Sequence, residues 1–353
     1  MSKNEQAAST TLDTQENAPA WNIRFYQGGD IPSLVALQNA AAVADGSEAV
    51  MTEEGLAASY AQPLSEPERQ VFIAEGPHDD VPDGAALGAA RAICFDDPNG
   101  NERLYQMRVT VHPAVRNKGL EQALAARMMD NIRANEQTPG MQPRDKISLL
   151  TITREKSASE RALLEQLGLQ VIRYAWTMRR PLDMPVTEPK EIEGVVVRNY
   201  RKPDDNAAML DAYNSSFIDH FEFHALTQEM VDYKMAQDEM RGDLSWVAEI
   251  EEEPARLAGF CITEVDEAAN TAAGKKEGWI TLLGTVRRWR GKGLGKTLLL
   301  RGLHSLKEAG LEYALLGVDA DSPTGANRLY ESVGFTVDYQ ELLYKCDLKD
   351  AKL

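Results

Sequence analysis

The sequence predicts a mixed α/β chain built from two tandem copies of one unit. Three observations carry that prediction. An apolar run passes through a glycine-rich turn into a helix, a weaker version of the same pattern stands earlier in the chain, and 353 residues suit two domains of about 150–165 residues. The two versions are in register. Ile23-Arg24-Phe25-Tyr26 corresponds to Val197-Arg198-Asn199-Tyr200, and Arg116-Asn117-Lys118-Gly119-Leu120-Glu121 to the six residues Arg290 to Gly295, so Arg24 to Arg198 and Arg116 to Arg290 each span 174 residues. Two copies this long mean tandem domains, each able to enclose a core, and not a solenoid.

Taken in order, residues 1–20 are polar, lack aromatics and read as a disordered tail. Residues 21–182 form the first copy. Residues 183–193, with Pro185, Pro189 and several charges, read as a linker, and residues 194–353 form the second copy. In the second copy Trp246-Val247-Ala248-Glu249 and Phe260-Cys261-Ile262-Thr263 read as strands. So does Trp279-Ile280-Thr281-Leu282-Leu283-Gly284-Thr285-Val286. Leu294, Leu298, Leu299, Leu303 and Leu306 then recur at helical spacing. Tyr313 to Val318 is another strand, Ala326 to Val333 a helix, and Gly334-Phe335 its stop. In the first copy Leu164 to Leu169 matches Tyr330 to Phe335 at 166 residues, so this copy holds about eight extra residues. Their natural place is Thr138-Pro139-Gly140-Met141-Gln142-Pro143-Arg144, a stretch of turn formers.

The turn Arg290-Gly291-Lys292-Gly293-Leu294-Gly295-Lys296-Thr297 carries the most chemistry. A helix opening behind a glycine turn presents unpaired N–H groups at a positive dipole end, which is an anion site and most naturally a pyrophosphate site. Gly293 and Gly295 remove side chains where a phosphate approaches the backbone. Arg287, Arg288, Arg290, Lys292 and Lys296 concentrate positive charge in a chain of net charge −17. Gly295-Lys296-Thr297 also matches the end of a P-loop, but Arg290 replaces the first glycine that motif needs.

The pair R-x-x-G-x-G at Arg290 to Gly295 and A-x-x-L-Y-x-x-x-G-F at Ala326 to Phe335, in that order, resembles the GNAT acetyltransferase superfamily over residues 279–335. The resemblance implies two tandem GNAT-like domains, each a central, mostly antiparallel sheet flanked by helices. It implies that the strand before the turn and the strand before the tyrosine helix splay to admit a pantetheine arm. It implies acetyl-CoA as co-substrate, held by Leu283, Gly284, Thr285, Arg290, Gly291, Lys292, Gly293, Leu294, Gly295, Lys296 and Asn327. Backbone N–H groups around Leu283, Gly284 and Thr285 would polarise the thioester carbonyl. Tyr330 would protonate the departing thiolate. The acceptor would be the primary amine of a small molecule, shaped by the segment holding Asp219, His220 and Phe221. The base is open among Glu249, Glu264, Asp266, Asp319 and Asp321, with Glu249 and Asp319 carried forward, and direct deprotonation through water would need none of them.

The copies are not equivalent. Glu121 stands where Gly295 stands, and a carboxylate about 4 Å from a phosphate charge repels it by about 4 kcal/mol at an effective dielectric of 20. Leu164 replaces the phenol of Tyr330. The first copy therefore reads as a degenerate partner domain and the second as the catalytic one. The tandem layout is similar to that of the mycothiol synthases, with one departure: Trp279 stands where they carry a strand glutamate that deprotonates the acceptor. That departure leaves a non-catalytic acyl-CoA sensor as the alternative. The acidic balance argues against nucleic acid, and no 18-residue apolar run exists to span a membrane. His78, His112, His220, His224 and His304 form no metal pattern, and Cys94, Cys261 and Cys346 read as free thiols of a cytoplasmic protein, the first two buried.

Overall fold

The computed structural model describes residues 21–352, apart from 64, 83, 97–100, 140, 222, 252, 323 and 324; the expected tail at 1–20 lies outside the described residues. The N-terminal half holds strands β1 (Asn22–Phe25), β2 (Val71–Glu75), β3 (Gly88–Asp96), β4 (Glu102–Val111), β5 (Lys146–Arg154) and β6 (Gln170–Pro181). Its helices are α1 (Ile31–Ala44), α2 (Glu53–Tyr60), α3 (Pro67–Gln70), α4 (Leu120–Glu136) and α5 (Ala158–Gln166). The C-terminal half repeats the plan with β7 (Val195–Asn199), β8 (Trp246–Ile250), β9 (Glu253–Glu264), β10 (Glu277–Thr285), β11 (Tyr313–Asp319) and β12 (Thr336–Asp347). Its helices are α6 (Asn206–Phe217), α7 (Gln228–Ala236), α8 (Glu267–Ala273), α9 (Leu294–Glu308) and α10 (Ala326–Glu331). The longer α4 and the connection 137–145 take up the extra residues of the first copy.

All twelve strands form one sheet, in the order β1-β2-β3-β4-β5-β12-β6-β11-β10-β9-β8-β7. Only β4–β5 and β10–β11 are parallel pairs; the others are antiparallel. The two halves exchange their last strands. β12 lies between β5 and β6, and β6 lies between β12 and β11. The apolar cores follow the same exchange. Leu342 and Tyr344 of β12 complete the core under α4 and α5, while Met178 of β6 and Leu182 complete the core under α9. In that second core Leu298, Leu299, Leu303 and Leu306 are fully buried, each worth about 2 kcal/mol of burial. The opposite face is covered by α1 and α2 in one half and by α6 and α7 in the other.

Residues 183–193 run along α9. Thr297 Oγ1 donates to the Lys190 carbonyl at 2.9 Å, and Lys307 Nζ to that of Met184 at 3.2 Å. Each parallel pair is short. β4 and β5 stay together from Glu102 to Gln106, β10 and β11 only from Glu277 to Trp279, and beyond those points the strands part. Cys261 is fully buried, whereas Cys94 is half-buried because it lies on the outer part of β3; all three thiols are free.

Candidate active site

The parting of β10 from β11 opens a cleft of about 420 Å³ that passes from the α9 side of the sheet to the α6 side. It brings together Leu283, Gly284, Thr285, Arg290, Gly291, Gly293, Leu294, Gly295 and Lys296 with Asp319, Tyr330, His220 and Phe221. Residues more than a hundred positions apart thus meet because α6, the turn and α10 all end at the same edge of the sheet.

The turn is shaped for an anion. Gly293 is the N-cap of α9 with φ +87°, and Gly291 has φ +76°, a backbone region open mainly to glycine. No side chain caps this helix. Among the described residues, the N–H groups from Gly291 to Lys296 have no acceptor, which is the state a pyrophosphate requires. Arg290 is itself tethered: its Nε donates to the Thr285 carbonyl at 3.2 Å and its guanidinium to the Ser216 carbonyl at 2.7 Å. These residues fit acetyl-CoA at its pyrophosphate. β10 bulges between Ile280 and Leu282, and with β11 gone its free edge faces the cleft over Leu283 to Thr285. Gly284 has a second reason to be glycine, since a Cβ there would run into the Phe260 ring.

Tyr330 is 7 % exposed and reaches the cleft from α10, edge-on to Phe335 at 6.1 Å. Its hydroxyl makes no hydrogen bond among the described residues. Burial, with the nearby Cys261, pushes its pKa well above the ordinary tyrosine value, so the phenol keeps its proton. His220 is pushed below its ordinary value by burial and by Arg290, so its ring is neutral at neutral pH.

Several expected site residues do other work. Glu249 lies outside the cleft, where it accepts from Arg198 Nε at 2.6 Å; Arg198 also grips Asp205 at 2.7 and 2.9 Å. This triad is repeated in the first half, where Arg24 joins Glu75 at 2.9 Å and Asp30 at 2.8 Å. Glu249, expected as a candidate base, thus sits in an arginine contact that both halves make and not on the cleft wall. Asp219 does not line the cleft; it binds Arg287 at 3.0 Å and Arg290 at 3.4 Å, as Asp45 binds Arg116 at 2.6 Å. It holds the turn's arginine. Asp319 lines the cleft, but one oxygen is taken by Arg173 Nε at 2.5 Å and the other by the Asp321 N–H at 2.9 Å. That double engagement is a poor arrangement for a base. Asn327 lies outside the cleft lining and ties α10 to the Ala320 carbonyl at 2.7 Å, and Lys292 is folded over the Trp289 ring at 4.4 Å.

Arg173 was not foreseeable. It belongs to β6, the last strand of the first half, and reaches the site through the strand exchange, stacking on Phe221 at 4.6 Å. A second cavity, of about 750 Å³, lies between the halves on the α6 side. Trp279 and Leu315 on its wall are the last paired residues of β10 and β11, and Ile280 and Gly317 a little further along those strands line the cleft. Both halves line the second cavity, through residues such as Glu48 and Arg154 from one and Glu264 and Lys275 from the other. No helix of the described residues is long and apolar enough to cross a membrane.

The first half shows what a closed turn looks like. Its backbone repeats the open one, with Gly119 at φ +89° and Asn117 at φ +60° in the place of Gly291. There the Glu121 carboxylate folds back and accepts the Asn117 N–H at 2.8 Å, filling the anion position from within.

The profile of the Acetyltransferase (GNAT) family matches residues 206–335. The chain is 32 % identical to a mycothiol acetyltransferase of Thermobispora bispora over 317 residues, 90 % of this chain and 96 % of that protein. It is 31 % identical to one of Salinispora arenicola over 73 % of this chain and 78 % of the relative. Among solved structures, a GCN5-related N-acetyltransferase of Sphaerobacter thermophilus superposes with a TM-score of 0.72 at 23 % identity, covering 94 % of this chain and 96 % of that one. A tandem GNAT protein of the clavulanic acid pathway gives 0.67 at 15 % identity, covering 93 % and 98 %. An open anion turn beside splayed strands, together with a relative aligned along nearly its whole length, leads to one conclusion: the chain belongs to the GNAT acetyltransferase family, as an acyl-CoA-dependent N-acyltransferase that uses acetyl-CoA.

Proposed function

We propose that the C-terminal half carries the reaction, moving the acetyl group of acetyl-CoA to the primary amine of a small molecule. The observation that carries this reading is the difference between the turns: N–H groups free at Gly291 to Lys296, and the matching position occupied by Glu121 in the other half. The pyrophosphate rests on the open turn and the pantetheine arm runs between β10 and β11. The thioester carbonyl meets the free edge of β10 at Leu283 to Thr285, where backbone N–H groups stabilise the charge that develops on oxygen. Tyr330, held protonated by burial, gives its proton to the thiolate as the carbon–sulfur bond breaks. The amine enters from the cavity between the halves, past Trp279 on the cavity's wall and His220 and Phe221 on the cleft's. Holding both reactants across one opening supplies much of the rate.

The relatives' name supports a starting point for the acceptor: the unacetylated precursor of mycothiol is the first amine to test, on the strength of that name and of a match to 96 % of one of them. The test is release of free CoA across an amine panel that includes this precursor, with the wild type and Tyr330→Phe side by side. Turnover is expected to fall about 10²–10⁴-fold in the variant. Acetyl-CoA affinity is expected to change less than about threefold, because the phenol acts on the transition state more than on the bound thioester. Equal turnover in the two proteins would return Tyr330 to the core and leave protonation to water.

A further inference from the structure

We infer that Glu264 is the general base that takes the proton from the acceptor amine. This rests on the reading of the C-terminal half as the transferase. Trp279 is the last residue of β10 still paired with β11, so the strands begin to part beside it, and it lines the cavity between the halves. Trp279 has no proton-accepting group. Its direct cross-strand neighbour on β9 is Glu264, and directly opposed side chains share a face with Cβ atoms about 5 Å apart. The row continues from Trp279 to Leu315 and from Leu315 to Arg179, and all four side chains line the cavity. A carboxylate displaced by one strand from the Trp279 position therefore faces the same cavity, beside the point where β10 and β11 part.

The other carboxylates of the cavity are committed elsewhere or sit far out. Asp45 is held by Arg116 at 2.6 Å and Glu48 by Lys275 at 2.8 Å. Glu277 is paired with Arg179 and with Lys275 at 3.5 Å. Asp266 accepts the Ala269 N–H at 2.7 Å and so caps α8. Glu155 and Asp338 are exposed on the side of the first half and β12. Glu264 is half-buried, and its ion pair is with the ammonium of Lys234 on α7 at 3.0 Å. Lys234 is half exposed, and such a pair holds by about 1 kcal/mol or less. Lys234 therefore leaves the carboxylate able to turn to an incoming ammonium. The charged groups around it are Lys234 on α7, Asp266 ahead of α8, Lys275 and Glu277 at the start of β10, and Arg179 on β6.

The proton count closes. The ammonium gives one proton to Glu264, which passes it to solvent. The neutral nitrogen then forms its bond to the carbonyl carbon. The carbon–sulfur bond breaks, the thiolate takes the Tyr330 proton, and the new amide nitrogen returns one to Tyr330.

The test compares Glu264→Gln, Glu264→Asp and Lys234→Met with the wild type, using the mycothiol precursor or whichever amine of the panel gives the fastest CoA release. Glu264→Gln is expected to lower kcat about 10²-fold or more near neutral pH. The loss should shrink as pH rises through the amine's own titration, with acetyl-CoA affinity and melting unchanged. Glu264→Asp should recover part of the rate, and Lys234→Met should stay within a few fold of the wild type. If Glu264→Gln keeps the wild-type rate and pH profile, or if Lys234→Met loses as much as Glu264→Gln, the assignment falls. A wild-type chain that binds acetyl-CoA but releases no CoA with any amine overturns the functional reading together with the base; a wild type that turns over beside an equally active Glu264→Gln overturns the base alone.

Discussion

In the first half Arg24 joins Asp30 and Glu75, and Arg116 joins Asp45; in the second Arg198 joins Asp205 and Glu249, and Arg290 joins Asp219. Both turns use the same left-handed positions, and both parallel strand pairs part after a few residues. Against this shared frame, two differences bear on the proposed chemistry: Glu121 for Gly295, and Leu164 for Tyr330. The comparison sorts residues by role better than charge or exposure does. What occurs in both halves is framework, and what occurs in only one is where to look for chemistry.

Making the halves alike is the strongest way to break that comparison. Gly295→Glu should place a carboxylate over the open turn, as Glu121 does over the closed one. The loss expected from one such charge is about 4 kcal/mol, or about a thousandfold in acetyl-CoA affinity, measured by calorimetry. Tight binding that survives this change would mean that Glu121 does not explain the silence of the first turn.

A smaller effect is expected from Leu164→Ala. Leu164 is buried in the core that α5 shares with α4 and β12, so truncation should cost about 3 kcal/mol of stability. The Michaelis constant for acetyl-CoA should hardly move. A large rise in that constant at unchanged melting would place Leu164 at a working site.

The smallest effect concerns the duplicated triads. Burial opposes ionisation of Asp205, but hydrogen bonds from Arg198 and Arg201 outweigh it and bring the carboxyl down to about 2. Asp30 is lowered in the same direction by Arg24, against burial and with help from the Gln27 N–H. A depressed carboxyl stabilises the fold above its unfolded value of about 3.9, and that contribution disappears as pH falls through the folded value. Asp205→Asn and Asp30→Asn should each cost about 2 kcal/mol at neutral pH. The gap to wild type should close near pH 2 for Asp205→Asn, read from urea midpoints across the acid range. A gap present in one half only would show that the triads are not equivalent.

Much of the frame was legible because it is local or repeated. A strand, a glycine turn and a leucine-spaced helix are written in consecutive residues, and the constant spacing of Arg24–Arg198 and Arg116–Arg290 exposed the duplication. The cleft residues from Leu283 to Lys296 are nearly all contiguous, and all but Lys292 line the cleft as far as that stretch was named. The misreadings share a cause. Glu249 and Asp219 are acidic residues at element ends, and a single sequence does not say whether such a carboxylate faces a ligand or an arginine far along the chain. Had Glu75 and Asp45 been set beside them at the same spacing, their duplication would have been visible. Arg173 and the cavity between the halves had no such signal, since strand periodicity says which face a residue takes but not which neighbour the strand will choose.

The exchanged strands also order events in time. A chain is made from its N-terminal side onward, and β12 follows every other strand of this sheet in the sequence. Until it emerges, β5 and β6 cannot both be fully paired, and the core under α4 lacks Leu342 and Tyr344. The half that is translated first is therefore finished last. Until β12 emerges it presents an open sheet edge of the kind that invites pairing with another chain. Closure of the N-terminal half and completion of the C-terminal half become one event, so the two halves are finished together once β12 has been made.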